Sequence, residues 1–184
     1  MSGSLSKVQP ADVLDFWRAA GPKRWFRKDN AFDTDFRARF LDAHEAARRG
    51  ELVDWTENVD GALALLILLD QFPRNAFRGT ARMFDSDPQA RAIARDAIAK
   101  GLDQRVDEPL RNFFYLPFTH SEDLADQDRA VELARPLGGE ALRYALLHRD
   151  VIAKFGRFPH RNAVLGRTTT PAEQLFLDSG GFAG

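Results

Sequence analysis

The chain has 184 residues and a formal net charge of −1, with 44% hydrophobic and 29% charged residues. This length fits one domain with a substantial core, and the balanced charge argues against a general nucleic-acid binder. The absence of cysteine excludes disulfides, thiolate metal sites and cysteine nucleophiles.

No targeting or membrane segment is predicted. Residues 1–10 lack the apolar stretch of a signal peptide, and the longest apolar run, 62–69, is shorter than the roughly 20 residues that cross a bilayer. We therefore expect a cytoplasmic protein with neither a membrane nor a nucleic acid as a partner. Residues 1–184 are expected to form a single all-α domain, with flexible ends at residues 1–9 and 178–184.

Apolar residues at helical spacing predict the elements of the first half of the chain. The first two helices are predicted over residues 10–20 and 29–49. A third, over residues 56–72, is too apolar for the surface. Pro73 is expected to end it, because a proline pushes the residue before it out of the helical region. His44 is interpreted as a solvated helix residue.

The second half of the chain is also predicted to be helical. Pro117 is expected to bend or terminate an aromatic helix. Thr119 and Glu122 have the spacing of a capping box, which predicts the start of a helix. A second start is predicted at residues 170–173, which combine an N-cap threonine, a proline and a capping-box glutamate. The helices predicted here cover residues 87–100, 110–118, 119–134 and 140–155, with a short last one that follows Thr170.

No stretch alternates apolar and polar residues for long enough to predict a strand. About eight helices joined by short turns indicate an all-α fold, either a bundle or an array of antiparallel helical hairpins. No 34-residue period is present, so residue spacing alone does not choose between the two.

A basic segment, Phe155–Arg167, is the most informative stretch, because it holds three arginines, a histidine and an asparagine but no acidic residue. Arginines grouped in one cleft suit a carboxylate or a phosphate, since the guanidinium is a planar fork of donors. The alternative is that they pair with carboxylates of the fold, such as Asp70 and Glu122. The arginines concerned are Arg74, Arg157, Arg161 and Arg167.

The motif FPRNA at residues 72–76 recurs in similar form as FPHRNA at residues 158–163. One interpretation is common turn chemistry, because Phe-Pro often stops a helix and asparagine suits turns. The other is that two similar arginine-bearing turns face one shared cleft. Both interpretations stay open at this point.

The histidines also allow several interpretations. His160 lies among positive charges, which disfavour the imidazolium. A neutral His160 could act as a general base or bind a ligand, and the alternative is a capping or core residue. His120 is interpreted as part of a helix cap, and His148 as packed with one ring nitrogen hydrogen-bonded. A metal site built from these histidines and Glu122 lacks a supporting motif such as His-Glu-x-x-His, so neither a metal nor a cofactor is predicted.

Three longer motifs stand out, namely LLDQFPRN at 68–75, FFYLPFTHSE at 113–122 and FGRFPHRN at 155–162, accompanied by VLDFW at 13–17 and WF at 25–26. Together they resemble the bacterial domain-of-unknown-function 924 (DUF924) family over almost the whole chain. The resemblance implies a tetratricopeptide-like all-α fold of stacked antiparallel helical hairpins. It implies no settled activity, so no catalytic residues can be assigned and the catalytic set is unknown.

The basic segment and these motifs predict a pocket that binds a small anionic metabolite, a phosphate or a carboxylate. If it is catalytic, His160 or His120 would carry a proton and Glu122 or Asp70 would orient the histidine. One alternative is a non-enzymatic module that binds a protein partner, with the polar residues as structural braces; another is a metal-dependent hydrolase. The candidate ligand-binding residues are Arg74, Asn75, His120, Glu122, Arg157, His160, Arg161 and Asn162, with Asp70 in a supporting ion pair.

Overall fold

A computed structural model of the chain describes residues 8–182. Over this range the backbone forms helices and turns and no strand, which confirms the all-α prediction. The flexible ends predicted at 1–9 and 178–184 fall partly on residues 1–7 and 183–184, which lie outside the described range, and their flexibility stays a prediction. None of the helices described is long and apolar enough to cross a membrane.

Eight of the helices in residues 8–182 have eight residues or more, close to the expected number. Their arrangement as tetratricopeptide-like stacked hairpins stays a prediction. The α-helices in chain order are α1 (Pro10–Ala20), α2 (Pro22–Trp25), α3 (Asn30–Arg48), α4 (Val59–Leu66), α5 (Phe72–Ala76), α6 (Asp87–Ala99), α7 (Glu108–Thr119), α8 (Leu124–Ala134), α9 (Gly139–Phe155), α10 (Asn162–Leu165) and α11 (Pro171–Asp178).

The helix starts follow the sequence signals in most places. The last predicted helix is confirmed at α11, where the Thr170 side chain accepts from the N–H of Glu173 and the Glu173 carboxylate accepts from the N–H of Thr170. The predicted capping box at Thr119 and Glu122 is wrong. Thr119 still belongs to α7, and α8 is capped instead by Asp123, whose carboxylate accepts from two backbone N–H groups. Glu122 is engaged elsewhere.

Pro73 does not end the apolar helix, and that prediction is wrong too. Residues Ile67–Gln71 form a π-helical turn that carries the backbone on into α5, with Pro73 in the first turn of α5. The N–H of Phe72 donates to the carbonyl of Ile67, five residues back. Pro73 has no N–H to donate to the carbonyl of Leu69, which accepts a hydrogen bond from the hydroxyl of Ser86 instead.

Side chains supply hydrogen bonds to three consecutive carbonyls of this π-helical turn. One donor is His44, which is buried and stacks on Phe72 with ring centroids 4.8 Å apart, so its prediction as a solvated residue is wrong. The hydrogen bond to the carbonyl of Leu68 satisfies Nδ1 of His44 in this buried position. The bonds run from His44 Nδ1 to Leu68 O (2.8 Å), from Ser86 Oγ to Leu69 O (2.6 Å) and from Arg74 Nη1 to Asp70 O (2.8 Å).

The backbone contacts divide the chain into two compact units. The first comprises Met1–Arg78 and Arg82–Phe114, and the second comprises Gly79–Ala81 and Tyr115–Gly184, so the division falls within α7. The single domain expected over the whole chain stays a prediction.

Each unit has apolar packing of its own. In the first unit, Trp17 lies in an aromatic cluster, with its ring centroid 5.6 Å from Phe36, 5.4 Å from Phe113 and 6.1 Å from Trp25. In the second unit, α8 packs against α9. A further buried cluster there combines the last turns of α9 with Phe158 from the basic segment, which places that segment on an apolar base.

Candidate functional site

The basic segment Phe155–Arg167 folds as two tight turns. Helix α9 ends at Phe155, and Gly156 caps it with a φ of 70°, the left-handed conformation that glycine adopts easily. A 3₁₀ turn, Pro159–Arg161, then leads into α10. The side chain of Phe158 is fully buried between these turns, so the polar residues on either side of it are held close to the protein interior.

Arg157 is occupied by a carboxylate from the last helix. Its Nε and Nη2 atoms donate to the two oxygens of Glu173 at 2.6 and 2.8 Å, and Nη2 also donates to the carbonyl of Thr168 at 2.7 Å. Glu173 is only 2% exposed and also accepts from Asn162 Nδ2 at 3.2 Å. The bonds from Arg157 and from the N–H of Thr170 outweigh burial and lower the pKa of Glu173 to about 2.

Arg167 forms a second brace of the same kind. It donates to both oxygens of Glu122, at 2.7 and 3.0 Å, and to the carbonyl of Phe158 at 3.1 Å. Its Nε donates to Asn162 Oδ1 at 2.9 Å, and Glu122 accepts from the N–H of Phe158 at 2.8 Å. Burial raises the pKa of Glu122, but the bonds from Arg167 and Phe158 outweigh it, so the pKa lies below its usual range. Both arginines therefore tie the segment to the fold.

Three histidines gather in the second unit around two phenylalanines. The ring of His148 lies 6.1 Å from the ring of His120, 5.5 Å from Phe158 and 4.3 Å from Phe182. The ring of His160 lies 5.6 Å from Phe158 and 5.4 Å from Phe182. We call these five residues the histidine cluster.

The imidazoles of His148 and His160 are neutral at physiological pH. Burial, with the positive charges of neighbouring side chains, lowers the pKa of His148 to about 3 and that of His160 to about 4. His148 Nδ1 lies 2.7 Å from the carbonyl of Tyr144, which can only accept, so Nδ1 carries the hydrogen and Nε2 carries the lone pair. The Nδ1 atom of His160 is buried and has no hydrogen-bond partner among the described residues.

Arg161 brings a positive charge to the edge of this cluster. The residue is 7% exposed, its guanidinium carbon lies 4.5 Å from the ring centroid of Phe158, and its Nη2 donates to the carbonyl of His120 at 2.9 Å. Its charge contributes to the lowered pKa of His160. A cation over an aromatic face is a stable arrangement, so Arg161 holds its charge beside the neutral imidazoles.

Arg74 and Asp70 lie in the first unit. Arg74 donates to the two oxygens of Asp87 at 2.7 and 2.9 Å, and its Nη1 lies 3.3 Å from Asp70 Oδ1. Burial alone would lower the pKa of Arg74, but Asp70 and Asp87 outweigh it and raise the pKa above its usual value. Asn75 donates to Asp33 Oδ1 at 2.7 Å.

The two similar motifs make similar contacts in their separate units. Phe72 and Phe158 are both fully buried. Asn75 donates to a carboxylate that also binds Arg78, just as Asn162 donates to the carboxylate that binds Arg157. The motif therefore builds a phenylalanine anchor with an asparagine–carboxylate–arginine group. The idea of one shared cleft stays a prediction.

The structure brings six of the predicted residues together in the second unit, and the remaining three lie in the first. His148 was not among the predicted ligand-binding residues. The prediction that it packs with one ring nitrogen hydrogen-bonded is confirmed. Its position seven residues before Phe155, two helical turns away, was a signal that it shares a face with the start of the basic segment. The six are His120, Glu122, Arg157, His160, Arg161 and Asn162; the three are Asp70, Arg74 and Asn75.

No group of three or more histidine, aspartate or glutamate side chains within residues 8–182 is placed to hold a metal ion. The geometry thus gives no support to the metal-dependent hydrolase considered above.

Comparison with known proteins gives a family and a close structural relative. Residues 13–181 match the model of a family described as bacterial protein of unknown function (DUF924). A solved structure of a protein of unknown function from Agrobacterium tumefaciens is 57% identical, with a TM-score of 0.92, over 93% of this chain and 97% of that chain. No curated protein matches the chain.

Proposed function

The chain belongs to the DUF924 family of bacterial proteins, and we propose that it binds a small anionic ligand, a phosphate or a carboxylate, at the histidine cluster of its second unit. The observation that carries the proposal is the buried Nδ1 of His160, which has no hydrogen-bond partner within residues 8–182. A buried polar atom of this kind is costly unless something binds it.

The charges around the cluster support an anion rather than a neutral ligand. Arg157 and Arg167 bind Glu173 and Glu122, and the guanidinium of Arg161 lies over the ring of Phe158 at the edge of the cluster. The neutral imidazoles of His148 and His160 add hydrogen-bonding atoms without adding charge. An anion with at least one hydrogen-bonding group fits a guanidinium that lies beside neutral imidazoles.

The ligand-contacting set that we propose is narrower than the one predicted from the sequence. Arg157 and Arg167 are engaged by carboxylates and support the site as braces. We propose that His160, whose Nδ1 has no hydrogen-bond partner within residues 8–182, contacts the ligand together with His120 and Arg161, with His148 beside them. The proposed location stays the cytoplasm, as the sequence predicts.

Thermal unfolding in the presence of inorganic phosphate, succinate or citrate tests this proposal. A ligand that binds only the native state adds about 2.7 kcal/mol to the free energy of unfolding at one hundred times its dissociation constant. Phosphate and citrate also stabilise proteins in general by exclusion from their surface, so variants decide the outcome. We expect His160→Asn and Arg161→Lys to lose a shift that the wild type shows.

Arg149→Lys is the matched control, because Arg149 lies in the same unit in an exposed pair with Asp128. It should keep the full shift. Absence of a shift in the wild type, or equal shifts in all the variants, would refute the anion site.

A second candidate is a non-enzymatic module that binds a protein partner. The observation that favours this candidate is that three guanidinium groups each donate through two nitrogens to a carboxylate of the fold. The arginines are Arg74, Arg157 and Arg167. In that case the polar motifs hold helices in register. A negative anion screen would leave this as the better proposal.

A further inference from the structure

A second surface, in the first unit, carries an unusual concentration of charge. Residues 18–28, from the last turn of α1 to the approach to α3, carry five cationic side chains and no acidic one. We call residues 18–28 the cationic turn. All five cations are exposed to solvent. They are Arg18, Lys23, Arg24, Arg27 and Lys28.

The backbone of the cationic turn is anchored to the protein. Gly21, with a φ of 69°, turns the chain out of α1, and its N–H donates to the carbonyl of Trp17 at 3.3 Å. The indole N–H of Trp25 donates to the same carbonyl at 2.7 Å. Trp25 is buried, and its ring lies 5.1 Å from that of Phe113. The charged side chains therefore project from a fixed base rather than from a loose loop.

An aromatic ring lies exposed among these charges. Phe26 is 65% exposed, although the chain buries most of its phenylalanines. Its ring lies 5.9 Å from that of Phe113 at an interplanar angle of 16°. One face of Phe26 is thus supported by the protein and the other is open to solvent. An aromatic residue with a polar rim around it matches the composition of a protein interface, in which aromatic residues and arginine are enriched.

The cations of the turn differ from the arginines of the basic segment in their contacts. None of the five forms an ion pair or a side-chain hydrogen bond with a residue between 8 and 182, whereas Arg157 and Arg167 are both paired. The next carboxylate along the chain, Asp29, caps α3 through the N–H groups of Ala31 and Phe32. The bond from Phe32, helped by Arg24 and Arg27, lowers its pKa.

From these contacts we infer that the cationic turn docks an acidic segment of a partner protein, with an apolar side chain of that segment packed on Phe26. Charge complementarity selects an acidic partner, and Phe26 supplies the apolar anchor. The net charge of −1 for the whole chain disfavours a long polyanion such as nucleic acid. Membrane association by charge alone would need further apolar anchors. A short acidic peptide matches a patch of this size.

Fluorescence anisotropy with a labelled peptide tests the inference on the full chain at 0.15 M salt, about the physiological ionic strength. The probe is a peptide of glutamates and aspartates with one central leucine. We expect it to bind, and we expect Arg24→Ser/Arg27→Ser to weaken binding about tenfold or more, which is about 1.4 kcal/mol. Phe26→Ser, at an exposed position, should weaken binding while leaving the thermal midpoint in place.

The control Lys100→Ser/Arg129→Ser removes two charges from other exposed positions and should bind like the wild type. Three results would overturn the inference. They are no binding at this salt concentration, equal loss in the control, and tighter binding of a single-stranded oligonucleotide or of anionic vesicles than of the peptide.

Discussion

Pairs of arginine and carboxylate dominate the polar motifs at the scale of single residues. A guanidinium matches a carboxylate in shape, so one side chain can fix two backbone segments through parallel bonds. Arg157, Arg167 and Arg74 all do this. The basic segment holds no acidic residue because its counter-charges, Glu122 and Glu173, come from other elements.

The largely buried pair of Arg74 with Asp87 should be costly to break. Asp87→Asn removes one carboxylate and leaves Arg74, whose side chain is 16% exposed, with less negative charge around it. We expect the free energy of unfolding to fall by about 1.5–3 kcal/mol, the contribution of hydrogen bonds to a charged group, because Asp70 still compensates part of the charge of Arg74. Urea denaturation measures this change.

Glu140→Gln is the control for that experiment. Glu140 and Arg143 form a two-pronged pair at the surface, where both side chains are more than half exposed. Exposed pairs contribute little, so its denaturation midpoint should hardly move. Equal losses in the two variants would mean that burial does not set the strength of these pairs.

The buried histidines make stability depend on pH. Their pKa values are about 3 for His148 and about 4 for His160 in the folded chain, and the pKa of His44 is also lowered, against about 6.5 when unfolded. The unfolded state therefore binds more protons as the pH falls, so the free energy of unfolding is at its full value above pH 6.5 and declines below it.

Urea denaturation between pH 7.5 and pH 5 would measure this decline, since the carboxylates titrate lower. His148→Phe keeps a ring against Phe158 and Phe182 but removes one titrating group. In this variant we expect the free energy of unfolding to decline less steeply with falling pH, by up to about 1.4 kcal/mol per pH unit. An unchanged slope would show that His148 is not buried in its neutral form.

At the scale of elements, local sequence signals determine where some helices start, whereas long-range contacts override such signals elsewhere. Caps lie within four residues of the helix that they start, so α1, α3 and α11 follow the sequence closely. Thr119 and Glu122 have the right spacing for a cap, but Arg167 competes for the glutamate from 45 residues away. A short-range pattern does not contain that competitor, which is why the predicted capping box failed.

The π-helical turn gives an element-scale prediction. Pro73 removes the α-helical donor of the Leu69 carbonyl, and Ser86 Oγ takes its place at 2.6 Å in a buried site. Ser86→Ala should lower the free energy of unfolding by about 1–3 kcal/mol, because it leaves a buried acceptor unsatisfied. Chemical denaturation measures the loss.

Ser179 provides a matched comparison for Ser86. Its hydroxyl donates to the carbonyl of Phe176 at 2.9 Å, but at an exposed position where water can replace it. Ser179→Ala should therefore change stability little. A loss as large as that of Ser86→Ala would point to a general effect of the hydroxyl rather than to burial.

At the scale of the whole molecule, the two compact units raise the question of cooperativity. All three tryptophans lie in the first unit, so tryptophan fluorescence follows that unit, whereas circular dichroism follows the helices of both. We expect the two signals to change at the same denaturant concentration, because α7 is a continuous helix with residues in each unit. Two separate transitions would contradict a single domain.

Much of the fold and less of the candidate site could be predicted from the sequence. Helix positions depend on near neighbours, whereas the site contacts join residues far apart, such as Arg161 with His120, 41 positions earlier, and Asn75 with Asp33, 42 earlier. The basic segment and its histidine were visible as residue types. The sequence did not show which arginines bind carboxylates of the fold. Glu173, the partner of Arg157, could be recognised only as part of a helix cap.

The π-helical turn at Ile67–Gln71 also determines the direction, about the helix axis, in which the side chains of α5 point. An α-helix advances about 100° per residue, and a turn closed over five residues instead of four holds one residue more. Arg74 and Asn75 thereby point to Asp87 and Asp33. Deleting one residue from the turn would swing both side chains by roughly 100°, away from these carboxylates. A one-residue alignment gap here in a relative would therefore signal exchanged partners, even where the motif letters are kept.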